Sequence, residues 1–201
     1  MSDVTGPDAA DLSIIERQLG RRPRAVMAIA HRCECGQPDV VQTAPRLPDG
    51  TPFPTLFYLT CPRASAGMSR LEAAGMMREM TVRLAADSGL RARYQAAHAD
   101  YLRRRDEAAC RAGLEPLPPG TQSAGGMPER VKCLHALAAH ALAAPGVNPL
   151  GEQAVQAAGA WWAAGPCATS TCAASTCAAS TCAASTRAAG TCASDRRRRA
   201  G

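Results

Sequence analysis

The sequence predicts an α+β fold in which a small β-sheet of about three strands, in the N-terminal half, packs against four to five α-helices. Short runs rich in Val, Ile and aromatic residues lie between residues 25 and 60, and four longer segments with helical spacing of apolar residues follow them. Only 3% of the 201 residues are aromatic, so the core has to depend on aliphatic side chains and on alanines, which favour close helix packing.

The predicted elements follow in order along the chain. The first helix runs through Leu12 and Leu19, is capped by Asp11 or Ser13, and is ended by Gly20. Three strands follow it, over residues 25–31, 40–43 and 55–60. Four further helices are expected, over residues 64–86, 90–112, 128–144 and 152–163. Pro128 is placed at the first helical position of its helix, where proline is favoured.

The chain divides into three parts by composition. Residues 1–10 are expected to be a disordered lead, residues 11–163 a single globular domain, and residues 164–201 a low-complexity Cys/Ala/Ser/Thr repeat with an Arg-rich end. The repeat unit has five residues, so its cysteines share no face of a helix or of a strand. We therefore expect this tail to be disordered and without a common thiol site.

The charge of the chain comes mostly from this tail. After Thr186, five arginines against Asp195 supply four of the six net positive charges. Non-specific contact with polyanions is expected only from the arginines at the end: Arg196, Arg197, Arg198 and Arg199. The rest lacks clustered cations with interleaved aromatic residues, so no specific nucleic-acid binding is expected.

The sequence also predicts a cytoplasmic protein without membrane contact. The N-terminus is acidic and lacks the apolar segment of a signal peptide, and no apolar run approaches the roughly 18 residues of a membrane span. Thiols stay reduced in the cytoplasm, so grouped cysteines there indicate metal binding or catalysis more often than disulfides.

A cysteine-rich segment, His31-Arg32-Cys33-Glu34-Cys35-Gly36, carries the strongest functional signal. In an extended segment His31, Cys33 and Cys35 project to one face, beside a turn. The simplest metal site adds Cys61 and Cys133, which would join the hairpin to the end of the third strand and to a later helix. Four thiolates suit zinc or an iron–sulfur cluster. His31 is a further candidate, as a ligand or as an outer hydrogen-bonding group.

Helix geometry argues against His135 as a partner of Cys133 at one ion. The two residues are two positions apart in a predicted helix, so their side chains point about 200° apart if the helix is regular there.

Two other interpretations stay open. The cysteines are also compatible with small buried apolar residues, although metal binding is the favoured interpretation. Alternatively, the protein is a thiol-dependent enzyme with Cys61 as nucleophile and His31 or His135 as base. Cys61 directly precedes a predicted helix, and the positive end of that helix would lower the pKa of the Cys61 thiol. Arg63 would then assist an anionic substrate.

Two blocks, HRCECGQPDVVQTAPRLPDGTPFPTLFYLTCPR and SAGGMPERVKCLHALAAHALAAPGVNPLGEQAV, and the closing GPC resemble a bacterial family. It is catalogued as domain of unknown function number five-hundred-and-one, mainly from high-GC Gram-positive bacteria. The resemblance implies functional cysteines at the positions Cys33, Cys35, Cys61, Cys133 and Cys167, which makes Cys167 a further candidate ligand.

The same resemblance implies a third hypothesis for function. Members of the family often lie near septum-formation and exopolyphosphatase genes. This association suggests an Arg-rich interaction module linked to cell division or to polyphosphate metabolism.

Overall fold

The computed structural model describes residues 6–121, 123–165 and 167, and it confirms an α+β fold with one three-stranded sheet and six α-helices in those residues. The strands are β1 (Val26–Arg32), β2 (Pro38–Thr43) and β3 (Phe57–Leu59). The helices are α1 (Ala9–Leu19), α2 (Pro62–Ala73), α3 (Met76–Ala86), α4 (Ser88–Arg111), α5 (Leu134–Ala143) and α6 (Pro149–Ala158), followed by a 3-10 helix (Trp161–Ala164). The repeat tail and its arginines, residues 168–201, lie outside the described residues.

The sheet is antiparallel throughout, in the order β1-β2-β3. The central strand β2 is buried along its whole length, and its Val41 pairs with Ile29 on one side and with Tyr58 on the other. The pairing of β1 with β2 is irregular around His31, at the end of β1 that leads into the connecting turn. The three strands confirm the expected sheet, although β3 is shorter than the apolar run that predicted it.

Helix α5 lies at the centre of the core. It packs against α6, α2 and all three strands. Its Leu134, Leu137 and His140 are fully buried. Among the described residues no helix combines the length and the apolar character that a bilayer crossing requires.

The long helix expected over residues 64–86 is two helices, α2 and α3, so the expectation of one helix was wrong. The break lies at Gly75, whose φ of 93° is in the left-handed region that glycine adopts without steric cost. Apolar spacing continues across the break, which is why the sequence pattern did not reveal it.

Helix α5 begins at Leu134 and not at the expected Pro128. The segment before it is held by non-helical hydrogen bonds: the Lys132 N–H donates to the Gly125 carbonyl (2.7 Å), and the Val131 N–H donates to Thr81 Oγ1 (3.2 Å). Because these N–H groups have partners outside the helix, the helical ladder starts only after Cys133, which is the N-cap residue.

Two further helix ends differ from expectation. Helix α1 is capped by Asp8, whose Oδ1 accepts from the Asp11 N–H (2.7 Å), so the predicted caps Asp11 and Ser13 were wrong; Gly20 does end the helix, with φ of 65°. Helix α6 ends at Ala158, earlier than predicted, and the chain continues into the 3-10 helix.

Candidate metal centre

Cys33 and Cys35 lie in the turn that joins β1 to β2. The turn is closed by the Cys33 N–H, which donates to the Gln37 carbonyl (2.9 Å), and by the Gly36 N–H, which donates to the Cys33 carbonyl (2.7 Å). Gly36 has φ of 80°, which the close turn requires. The two thiols therefore meet because the chain folds back on itself, and not because they alternate along an extended strand.

Cys167 joins these two cysteines from the far end of the described chain. Its Sγ lies 3.5 Å from Cys33 Sγ, and the sulfurs of Cys33, Cys35 and Cys167 all lie within 4.8 Å of one another. Cys33 and Cys167 are buried and Cys35 is half-buried. Three thiols from segments 132 or more residues apart thus share one small volume, which is the condition for a common ligand.

Two hydrogen bonds hold the segment that carries Cys167. Gln18 Nε2 of α1 donates to the Cys167 carbonyl (3.3 Å) and to the Pro38 carbonyl (2.8 Å). Arg63 Nη1 of α2 donates to the Gly165 carbonyl (2.5 Å). The expected role of Arg63 with an anionic substrate stays a prediction, and the structure gives this guanidinium a partner in the backbone.

Cys61 is the fourth cysteine near these thiols, and it comes from the start of α2. It is the N-cap residue of α2, is fully buried, and its Sγ accepts from the Ala64 N–H (3.5 Å). The Cys61 thiol is also close enough to Cys167 for its hydrogen bond and its charge to raise the pKa of Cys167. We refer to Cys33, Cys35, Cys61 and Cys167 as the cysteine cluster.

Backbone groups act on three of these four sulfurs. The Ala64 N–H donates to Cys61 Sγ. The backbone of Cys35 acts on the Cys33 thiol, and the backbones of Gln37 and Cys167 act on the Cys35 thiol, in each case in the direction that lowers the thiol pKa. Hydrogen bonds of this kind stabilise thiolates and orient metal ligands.

The pKa values of these thiols follow from burial and from the closeness of the sulfurs. Burial raises the pKa of Cys33 and of Cys167, and the neighbouring thiols raise that of Cys167 further. Burial also opposes ionisation of Cys35, but backbone groups and the Cys167 and Cys33 thiols outweigh it and lower its pKa. Ionisation of several of these thiols together would bring like charges close to one another, and a bound cation would offset that repulsion.

The chain also matches a known family model. A model described as a protein of unknown function, DUF501, matches residues 29–156, which is more than half of the chain. The chain belongs to the DUF501 family. Cys33, Cys35, Cys61 and Cys133 of this DUF501 protein lie inside the matched range, and Cys167 follows it. No curated protein and no solved structure matches it.

Cys133 lies in a different place from the one expected. Its sulfur groups with Glu72 and His135. Glu72 is in the last turn of α2, and Cys61 precedes the first turn, so the two ends are roughly 16 Å apart along the helix. The sequence led us to expect Cys133 as the fourth member of the cysteine cluster. The structure instead places Cys167 beside Cys33 and Cys35, and Cys133 lies outside the cluster.

The histidines that were expected to serve Cys61 have other partners. His31 Nδ1 lies 2.7 Å from Oδ1 of the buried Asp39, and His135 Nδ1 lies 3.9 Å from Cys133 Sγ. Cys133 and His135 do approach each other, because Cys133 is the N-cap of α5 and the regular helix on which the expectation depended begins only at Leu134.

Two groups at these sites gave no signal in the sequence. Gln18 precedes the hairpin by a whole helix, and Glu72 is one of several charged residues on an amphipathic helix. They are identified only in the folded structure, by contacts with residues more than 60 positions away in the chain. Gln18 contacts Cys167, and Glu72 contacts His135.

Proposed function

We propose that this DUF501 protein binds a metal ion through Cys33, Cys35, Cys61 and Cys167. The observation that carries the proposal is the meeting of the thiols: 3.5 Å separates Cys33 Sγ from Cys167 Sγ. In a tetrahedral site with zinc–sulfur bonds of about 2.3 Å, the ligand sulfurs lie about 3.8 Å apart.

The spacing favours one ion over an iron–sulfur cluster. Four sulfurs around a single tetrahedral ion crowd together, whereas the thiolates of a polynuclear cluster bind different irons and spread further apart. Three sulfurs lie within 4.8 Å of one another, so zinc is the ion we propose first. Iron is the competing outcome of the metal analysis.

The site has the character of a structural centre. Its four residues come from the β1–β2 turn, the start of α2 and the segment after the 3-10 helix, and three of them are buried. A closed set of four thiolates leaves no open position for a substrate. The metal would therefore hold these segments together. The cytoplasm, which keeps thiols reduced, is the compartment that we propose for it.

Metal analysis of anaerobically purified protein tests the proposal. We expect about one equivalent of zinc and no visible absorbance. Single substitutions to serine at each cysteine of the cluster should each remove most of the metal, because a mononuclear site depends on every ligand. Visible absorbance with bound iron and sulfide would instead assign an iron–sulfur cluster to the same residues.

Cys110→Ser and Cys133→Ser are the matched controls. Cys110 is exposed on α4, and Cys133 lies outside the cluster, so both variants should keep the full metal content. Metal-free wild-type protein after anaerobic purification and zinc addition would refute the proposal. Loss of metal in Cys133→Ser, with Cys167→Ser unaffected, would restore the tetrad first predicted from the sequence.

A further inference from the structure

A second thiol site lies at the start of α5, where Glu72, Cys133 and His135 form what we call the Cys133 group. All three side chains are partly exposed, and their ligating atoms lie within 4.8 Å of one another. Glu72 Oε1 accepts from the Leu134 N–H (2.7 Å) and lies 3.2 Å from His135 Nδ1, so this carboxylate fixes both the helix start and the imidazole.

The contacts of His135 favour its protonated state. Its Nδ1 faces the Glu72 carboxylate and the Cys133 sulfur (3.9 Å), and its Nε2 lies 3.1 Å from the Ser65 carbonyl oxygen and 3.3 Å from Ser69 Oγ. The carboxylate and the carbonyl only accept hydrogen bonds, and the Ser69 hydroxyl can accept one as well, so a doubly protonated ring satisfies all of these contacts. The geometry is that of an imidazolium beside the Cys133 sulfur.

The electrostatics agree with this geometry. The hydrogen bond to Cys133 and the pairing with Glu72 raise the pKa of His135 to about 9. Burial opposes ionisation of Cys133, but the hydrogen bond from His135 and the N–H of Ala136 at the helix start outweigh it and lower the pKa of this thiol.

The same contacts disfavour a metal at the Cys133 group. A histidine ligand needs an unprotonated ring nitrogen, and both nitrogens of His135 are engaged with acceptors. A thiolate without a metal is a nucleophile, and its reactivity depends on access.

Cys133 is partly exposed, and it is one of the residues that line a cleft of about 530 Å³ between α4 and the segment before α5. This volume is in the range of small-molecule sites. The charged groups lining the cleft are Glu129, Arg130 and Lys132. Burial, with the charge of Arg105 in the same direction, lowers the pKa of His98, which also lines the cleft, and so favours its neutral form. The cleft lining thus favours a small ligand that carries carboxylates.

We propose that Cys133 is a reactive thiolate that exchanges with a low-molecular-weight disulfide bound in this cleft. The Cys133 sulfur attacks one sulfur of the disulfide, a new S–S bond forms, and the original S–S bond breaks. The departing sulfur takes the electron pair, leaves as a thiolate and collects a proton from water. Cys133 is oxidised, the released thiol is reduced, and the disulfide is the only oxidant required.

Disulfide exchange fits this site better than acyl transfer does. In exchange a thiolate enters and a thiolate leaves, so no general acid or base is needed at the reacting atoms. Acyl transfer also needs a proton delivered to the leaving group, whereas the ring nitrogens of His135 face Glu72, Ser65 and Ser69.

The experiment is incubation of the full-length protein with oxidised glutathione at about pH 6, where ordinary thiols are mostly protonated. Peptide mapping by mass spectrometry then gives the rate of mixed-disulfide formation at each cysteine. We expect Cys133 to react at least about tenfold faster than the exposed Cys110 on α4, and the difference to narrow towards pH 9 as ordinary thiols ionise.

His135→Asn supplies the matched variant, because it removes the cation and keeps a polar side chain of similar size. The rate at Cys133 should fall about tenfold at pH 6, and its pH profile should move towards that of Cys110. If this variant does not fold, the wild-type profiles of Cys133 and Cys110 decide the question alone. The proposal would be overturned if the reaction rates at Cys133 and Cys110 of the wild-type protein changed in parallel with pH. It would also be overturned if one equivalent of added zinc prevented the reaction of Cys133 with oxidised glutathione. Neither result bears on the cysteine cluster, which uses other residues.

Discussion

His140 shows how a buried histidine is kept neutral in this protein. The ring is fully buried in α5 and is stacked on Phe57. The Asn148 amide nitrogen lies 3.3 Å from Nδ1 and donates to it, so the proton is on Nε2, which lies 3.2 Å from Asp100 Oδ2. Burial lowers the pKa of His140, with Arg104 acting in the same direction and Asp100 opposing it.

At the residue scale we therefore predict a loss of stability in acid. The unfolded chain takes up a proton at this histidine near its ordinary pKa of 6.5, and the native protein does not. His140 thus contributes stability that is present above pH 6.5 and is lost as the pH falls below it. Thermal unfolding between about pH 7.5 and pH 5 measures this slope. His140→Gln should unfold at a lower temperature at pH 7.5 but with a shallower slope, and an unchanged slope would contradict the prediction.

At the element scale, the close approach of α5 and α6 depends on one glycine. A Cβ atom at Gly151 of α6 would overlap the Leu137 carbonyl of α5 and would lie 2.9 Å from the Ala141 Cβ. Because a backbone carbonyl cannot move out of the way as a flexible side chain does, one helix would have to shift. The α5–α6 contact matters to both sites, since α5 carries His135 directly after Cys133, and α6 leads towards Cys167.

We predict that Gly151→Ala lowers the free energy of unfolding by about 1–3 kcal/mol. The matched control is Gly89→Ala, in the first turn of α4, where the added Cβ would make only an ordinary contact of 3.4 Å with Asp87. Alanine is the better helix former, so this control should be neutral or stabilising by up to about 1 kcal/mol. Chemical denaturation of both variants compares them, and equal effects would argue against the close helix contact.

At the scale of the whole molecule, the cysteine cluster ties together parts of the chain that are far apart in sequence. Cys33 and Cys167 are separated by 134 residues, and Cys61 adds the start of α2. A metal bound by the folded protein and not by the unfolded chain adds its binding free energy to stability. The expected consequence is a fold that depends on metal.

We predict that a strong zinc chelator lowers the unfolding temperature of the wild-type protein by at least about 5 °C, since about 2 kcal/mol of lost binding energy is enough in a domain of this size. Cys167→Ser should start at the lower temperature and show no further change with chelator. Cys110→Ser should behave as wild type. An equal response of Cys167→Ser and wild type to the chelator would place the metal elsewhere.

Much of the local structure could be predicted because local signals carry it. The apolar runs gave the three strands, and Gly20 marked the end of α1. The predicted start of α5 at Pro128 was wrong, although proline is favoured at the first position of a helix. The N–H groups of Val131 and Lys132 bond to other segments, and these contacts delay the start of the helix. At Gly75 a helical pattern persisted through a break that depends on a single left-handed residue.

The sequence by itself determined the fold class and identified the cysteines as candidate ligands, because apolar periodicity and residue type are properties of short stretches of chain. It also indicated that Cys33 and Cys35 belong together, since they share one turn. Only the tertiary structure decided that Cys167 joins them and that Cys133 pairs with His135. The physical reason is that ligand sets form from side chains that are close in space, and residue spacing does not specify which distant segments the packing of α2, α5 and the sheet will bring into contact.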